Sequence, residues 1–270
     1  MIERRVIAIV NQKGGCGKTT TAVNLSAALA MRGERIALID LDPQAHATLG
    51  VGISPQEIRN SIYDLLVAET MRFGDVLLDT EIPHLHVVPA NLMLSGAQEE
   101  LLNFADREMR LSHALESLAD NFPYVIMDCP PALNILTINA LVAATHVLIP
   151  IQTHFYSLEG MKELLGTVEV IQSRLNPNLK TLGILPTMVD GRLSAAREML
   201  QAIREYFGRQ VFETVVHSSA KLFEAPASGK PIFLYDPRSR GAEEYLALAN
   251  EISQIFLREH AIQANHPVYI

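Results

Sequence analysis

The chain of 270 residues contains no tryptophan and only two cysteines, Cys16 and Cys129. So few cysteines exclude a disulfide-stapled secreted scaffold and point to a reducing, cytoplasmic setting. No apolar run approaches the roughly 18 residues that a membrane-spanning helix requires. The opening residues Met1-Ile2-Glu3-Arg4-Arg5 lead straight into an apolar strand pattern and leave no room for a signal peptide. An excess of positive charge is also missing. Lys and Arg number 22 against 30 Asp and Glu, a net charge of −8. That balance excludes a dedicated, high-affinity nucleic-acid binder. Any DNA contact would need a local basic patch and would be weak, salt-sensitive and indifferent to sequence. Internal repeats, low-complexity segments and linkers are absent too. Hydrophobic residues make up 49%, enough for a large core in a globular chain.

What remains is a steady alternation of apolar strand-like runs and helical patterns. It predicts one α/β domain with a mostly parallel, twisted sheet flanked by helices. Strands are expected at Val6–Val10, Arg35–Asp40, Leu85–Pro89, Tyr124–Met127, Val147–Ile151, Thr181–Pro186 and Val211–Val216. Helices are expected at Thr20–Arg32, Ser61–Ala68, Ile135–Ala144, Leu158–Arg174, Ala195–Phe207 and Gly241–Arg258. Residues 95–120 read as helical with a break near Asn103 or Asp106. The first helix places Ala22, Leu25 and Leu29 on one face. The domain spans 1–260, and 261–270 form a frayed C-terminal tail.

The most informative stretch is Val10-Asn11-Gln12-Lys13-Gly14-Gly15-Cys16-Gly17-Lys18-Thr19-Thr20. It follows the first strand and opens the first helix, the context of a phosphate-binding loop. Gly14, Gly15 and Gly17 let several backbone N–H groups converge on one anion. The helix beginning near Thr19 and Thr20 adds its positive end. Lys18 would reach the β- and γ-phosphates of a nucleotide, and the Thr19 hydroxyl would ligate Mg²⁺. Tyr124 to Met127 is an apolar strand that ends in Asp128, the second half of such a site, whose carboxylate would bind a Mg²⁺ water. Asp40 and Asp42 sit at the end of the second strand, where open parallel sheets meet their ligands. Cys16 and Cys129 flank the site and read as small buried fillers.

The loop string is K-G-G-x-G-K-T, with Gln12 where the general pattern has glycine and an additional Lys13. On these residues the chain resembles the ParA/MinD family of ATPases. Further motifs carry the resemblance: Asp40-Leu41-Asp42-Pro43-Gln44 with Thr48, and Asp128-Cys129-Pro130-Pro131. So do Glu224-Ala225-Pro226, Gly229-Lys230-Pro231-Ile232 and the run from Tyr235 to Ala242. The likeness extends from Val6 to about Phe256. It departs at Ala45-His46, where the family carries Gly-Asn, and at Val216-His217-Ser218-Ser219-Ala220-Lys221, where the family carries Ile-Pro-Arg-Asn-Val-Arg.

The resemblance implies a P-loop ATPase that uses ATP and Mg²⁺. Asp42 would position the attacking water, Asp40 would lie near the Mg²⁺ sphere, and Gly14 would lie where two protomers approach. Lys13 would reach across a homodimer to the partner's phosphates. The stretch His154 to Gly160 would face that partner. Arg192 and Lys221, with Arg238 and Arg240, would contact non-specific duplex DNA. Between Lys180 and Tyr245, however, nine Lys and Arg face eight Asp and Glu, so this surface is charge-balanced. The implied work is segregation of chromosome or plasmid DNA on the nucleoid, with slow hydrolysis stimulated by a ParB-like or other cargo-linked activator. The same cycle could instead position a chemoreceptor array or microcompartment. A MinD-like membrane cycle would need a basic amphipathic tail, and between Ile252 and Ile270 the only Lys or Arg is Arg258. A metabolic or metal-handling ATPase of the same fold is a further alternative, and it would not be retained on DNA in an ATP-dependent way.

Overall fold

A computed structural model describes residues 4–68, 70–154 and 157–265. Seven strands form one sheet: β1 (Arg5–Ile9), β2 (Ile36–Asp40), β3 (Leu78–Asp79), β4 (Leu85–Val88), β5 (Tyr124–Asp128), β6 (His146–Gln152) and β7 (Lys180–Thr187). Their order is β3-β4-β2-β5-β1-β6-β7. Every pairing is parallel except that of the short edge strand β3 with β4.

Both faces of the sheet are covered, as a parallel sheet requires. Along β1 the side chains alternate: Val6 and Ala8 belong to one core, Ile7 and Ile9 to the other. The first core is closed by α3 (Ile62–Val67), α5 (Leu94–Leu101), α6 (Arg110–Leu115), α7 (Ile135–Ala143) and α8 (Ser157–Arg174), with α4 (Phe73–Val76) and α9 (Ser194–Phe207) at its margins. The second is closed by α1 (Lys18–Met31), α10 (Ala220–Glu224), α11 (Ile232–Tyr235) and α12 (Arg240–Asn265), with α2 (His46–Gly50) beside them.

Helix α1 is buried on nearly every side, not along one stripe. Four alanines (Ala22, Ala27, Ala28 and Ala30) let it press between sheet and α12. Two of its buried polar residues tie it to its neighbours: Thr21 meets the Tyr245 hydroxyl at 3.2 Å, and Asn24 Oδ1 accepts the Ile232 amide at 2.7 Å. No helix among the described residues is long and apolar enough to cross a membrane.

Two expectations need correction. Residues 211–216 do not form a strand but touch β7 at one isolated bridge, between Ile184 and Val211. The Phe212 amide donates to Ile184 O at 3.0 Å. A parallel ladder next needs the N–H of residue 186, and Pro186 has none. The amides of Glu213 and Thr214 turn away to the Glu251 carboxylate on α12, at 2.8 and 3.0 Å. The second correction concerns the tail: α12 continues to Asn265, past Arg258, where the last helix was expected to end, and into the stretch 261–270 expected to fray. Residues 266–270 lie outside the described residues.

Candidate active site

The C-terminal ends of β1, β2 and β5 converge, and the loop between β1 and α1 lies over them. Residues 11–17 form that loop. Gly15 (φ 70°) and Gly17 (φ 87°) adopt the left-handed conformation that favours glycine. Side chains from neighbouring strands hold the loop's outer groups. Gln152 donates to Gly15 O at 2.6 Å, and the Thr187 hydroxyl to Cys16 O at 2.8 Å. Asn11 bridges Pro150 O, at 2.6 Å, and the Lys13 amide, at 2.9 Å. With these carbonyls pinned outward, the amides of Gly14, Gly15, Gly17, Thr19 and Thr20 donate to no group among the described residues. Such a nest, at the N-terminus of a 14-residue helix, is built for an anion.

The two lysines of the loop point differently. Lys18 is buried, and its Nζ donates to Lys13 O at 3.1 Å. Lys13 is exposed, and its ammonium pairs with no carboxylate among the described residues.

Beneath the loop lie two fully buried acids on adjacent strands. Asp40 and Asp128 are register partners of β2 and β5, and Asp128 also pairs Ile9 of β1. Their environments differ sharply. Both Asp128 oxygens are buried without a hydrogen-bond partner. Burial, and then the neighbouring Asp40 charge, push its pKa well up; Thr19 and Lys18, close by, oppose this. A buried carboxylate with no donors is costly unless a cation completes it. Together with the Thr19 hydroxyl it therefore suits a hard divalent ion that keeps most of its waters. Asp40 instead accepts from the Thr48 amide (2.8 Å), the Thr48 hydroxyl (2.7 Å) and the Asp42 amide (3.1 Å). Burial still raises its pKa to about 6, against the lowering by these donors.

Asp42 is half-buried beyond the strand end, and its Oδ1 accepts the Gln44 amide at 2.9 Å. Ala45 sits at φ 55°, where an L side chain costs about 1–2 kcal/mol. This is the position at which the family pattern has glycine, so the substitution stores strain in the segment after Asp42. Burial raises the thiol pKa of Cys16 and, more strongly, of Cys129, which keeps both protonated and inert.

One side of the loop opens into a cavity of about 820 Å³, large enough for a nucleoside. It runs along Thr20, Val23 and Asn24 of α1 to Met188, Val216 and His217. Composition and motif gave no base-contacting residues. The stretch where the chain departs from the family pattern supplies part of the cavity wall, Val216 to Ala220.

The basic residues expected at DNA are mostly engaged locally. Arg192 forms a two-pronged contact with Asp190 at 2.8 and 2.7 Å. Lys221 pairs with Glu224 at 3.0 Å, and Arg240 with Glu244 at 2.6 Å and His217 at 2.7 Å. Arg238 is exposed and has no ion pair among the described residues. His154 is exposed, while Phe155 and Tyr156 of the expected partner-facing stretch lie outside the described residues.

A phosphate loop at the turn from β1 to α1, with acids at the ends of β2 and β5, defines a P-loop nucleoside triphosphatase. The comparisons narrow the class. The family described as "AAA domain" matches residues 4–181. The chain is 47% identical over 249 residues to the sporulation initiation inhibitor protein Soj of Bacillus subtilis, covering 92% of this chain and 98% of that one. It is 48% identical over 248 residues to the chromosome partitioning protein ParA of Myxococcus xanthus, covering 92% and 87%. Among solved structures, a cobyrinic acid a,c-diamide synthase from Mycobacterium smegmatis with bound ADP and magnesium superposes with a TM-score of 0.81. It is 34% identical, over 92% of this chain and 93% of that one. The cell division ATPase MinD of Pyrococcus furiosus superposes with a TM-score of 0.77 at 25% identity, over 93% and 99%. The chain belongs to the ParA/Soj-type partition ATPases of the ParA/MinD family.

Proposed function

We propose that the chain binds ATP with Mg²⁺ and closes into a homodimer with two nucleotides between the protomers. In that state it holds duplex DNA without sequence preference. It hydrolyses ATP slowly until a ParB-like, cargo-linked activator engages it, and so segregates chromosome or plasmid DNA over the nucleoid. The loop amides and Lys18 hold the phosphates, and the 820 Å³ cavity takes the base. The Thr19 hydroxyl and Asp128 would hold the ion, which would supply neutralisation of the phosphate charge. Asp42 orients the attacking water. Lys13 of each protomer reaches the other's nucleotide, a cation supplied in trans to the transferring phosphoryl group.

The observation that carries this reading is the division of labour between the two lysines. A loop lysine that is exposed and paired with no acid is available to a second copy, while Lys18 serves its own site. On the charge-balanced C-terminal face DNA binding would be weak and would need two protomers.

Retention of Asp42→Ala on immobilised duplex DNA, with ATP or ADP over a salt series, tests the reading. Retention with ATP alone, falling steeply with salt, is expected. Equal retention with ADP, or none with ATP, overturns the DNA-based function.

A further inference from the structure

We propose that Thr48 is a positioning residue for hydrolysis, and that Asp40 is the bracket through which it acts rather than a ligand of the ion. This rests on the reading of Asp42 as the residue that orients water. Thr48 is fully buried on α2, eight residues beyond Asp40. It gives Asp40 Oδ2 both its amide and its hydroxyl, at 2.8 and 2.7 Å. Asp40 Oδ1 takes the Asp42 amide at 3.1 Å. One carboxylate thus closes the ring from residue 40 to residue 48 and fixes the backbone of Asp42 inside it.

The hydroxyl oxygen of Thr48 has a second role. It accepts the Ala90 amide at 2.9 Å, just beyond the end of β4. Thr48 therefore ties the end of β2 to the end of its neighbour in the sheet. The tie spans a segment under strain, because Ala45 is held at φ 55° inside the ring. Without the tie that turn is free to relax, and Asp42 moves with it.

The contrast with Asp128 separates bracket from ligand. The two acids are neighbours in register, yet one has three protein donors and the other none. A carboxylate whose oxygens already accept three hydrogen bonds has little capacity left for a cation. The ion therefore falls to Asp128 and Thr19. The Asp40 oxygens are occupied by Thr48 and the Asp42 amide.

The test uses Thr48→Val, which keeps the shape and removes the hydroxyl, with Thr48→Ser as the conservative partner. Hydrogen exchange of the nucleotide-free protein reads the tie without any turnover. The Ala90 amide is expected to exchange about tenfold faster in Thr48→Val, with faster exchange at Asp42 and little change in β5. Turnover should fall about 10- to 100-fold with KM for ATP held within about threefold, and Thr48→Ser should recover most of the loss. Asp40→Asn should behave like Thr48→Val, the double variant should be no worse than either single one, and none should shift the Mg²⁺ half-saturation. Unchanged exchange at Ala90 and Asp42 overturns the proposal. So does a raised Mg²⁺ requirement in Asp40→Asn, which would make Asp40 a ligand. Absent turnover in the wild-type protein would instead remove the hydrolytic reading on which the role of Thr48 depends, whatever the exchange result.

Discussion

Replacing Asp128 by Asn should make the nucleotide-free protein more stable while removing its response to magnesium. The wild-type carboxylate is fully buried, has no hydrogen-bond donor, and lies opposite Asp40 on the adjacent strand, about 4.8 Å away across the ladder. An unsatisfied buried polar group costs about 1–3 kcal/mol, and a charged one more. The amide that replaces it is also unsatisfied, so the gain comes from the charge alone, and about 1–3 kcal/mol is a fair scale for it. At about 2–4 °C per kcal/mol for a chain of this size, Tm should rise by about 2–12 °C.

The pH dependence has a definite sign. Burial raises the folded-state pKa of Asp128 above its unfolded value. Its contribution to stability is complete below the unfolded pKa and is lost as pH rises through the folded one. The advantage of Asp128→Asn in EDTA should therefore widen as pH rises and close in acid. Asp40, raised to about 6, adds a similar decline between roughly pH 4 and 6 in both proteins. Melting followed by circular dichroism suits a chain without tryptophan. Mg²⁺-ATP at 100 times Kd should then add about 2.7 kcal/mol to the wild type and much less to the variant. A variant less stable than wild type in EDTA at pH 8 would refute the reasoning. So would a difference in Tm that ignores pH.

The remaining predictions concern the lysines and the DNA face. Lys18→Ala should abolish nucleotide binding, read by calorimetry. Lys13→Ala should bind ATP normally and hydrolyse it about 10²- to 10³-fold more slowly; persistent hydrolysis removes the trans role. Hydrogen bonds from Arg192 hold the Asp190 carboxyl down to about 2, so their pairing persists throughout the physiological range. Asp190→Asn should free Arg192, tighten ATP-dependent DNA binding, and steepen the plot of log K against log salt by about one. An unchanged slope would mean that Arg192 meets no phosphate.

Much of the fold was legible because a parallel sheet imposes apolar runs, and those of β1, β2, β4, β5, β6 and β7 each mark a parallel strand, whereas the two-residue antiparallel edge strand β3 carries no such run. The loop and Asp128 were legible for a related reason: their chemistry sits in contiguous residues at strand ends. What escaped was set by contacts distant in the chain. Gln152 and Thr187 pin loop carbonyls from 137 and 171 residues away. Residues 211–216 carry a strand pattern, but Pro186 and Glu251 deny it a ladder. The short helix α11 begins where Asn24 of α1 receives the Ile232 amide. Thr48 was visible as part of a motif, but its bonds to Asp40 and Ala90 were not.

The central claim is that this loop completes a site only when two copies meet around ATP. Light scattering of Asp42→Ala in Mg²⁺-ATP, Mg²⁺-ADP and EDTA, alone and combined with Lys13→Ala, tests it most directly. The account predicts a mass of two chains for Asp42→Ala with Mg²⁺-ATP, and one chain with ADP, in EDTA, or when Lys13 is also replaced. A single chain under all conditions, or a dimer indifferent to nucleotide and to Lys13, would contradict it.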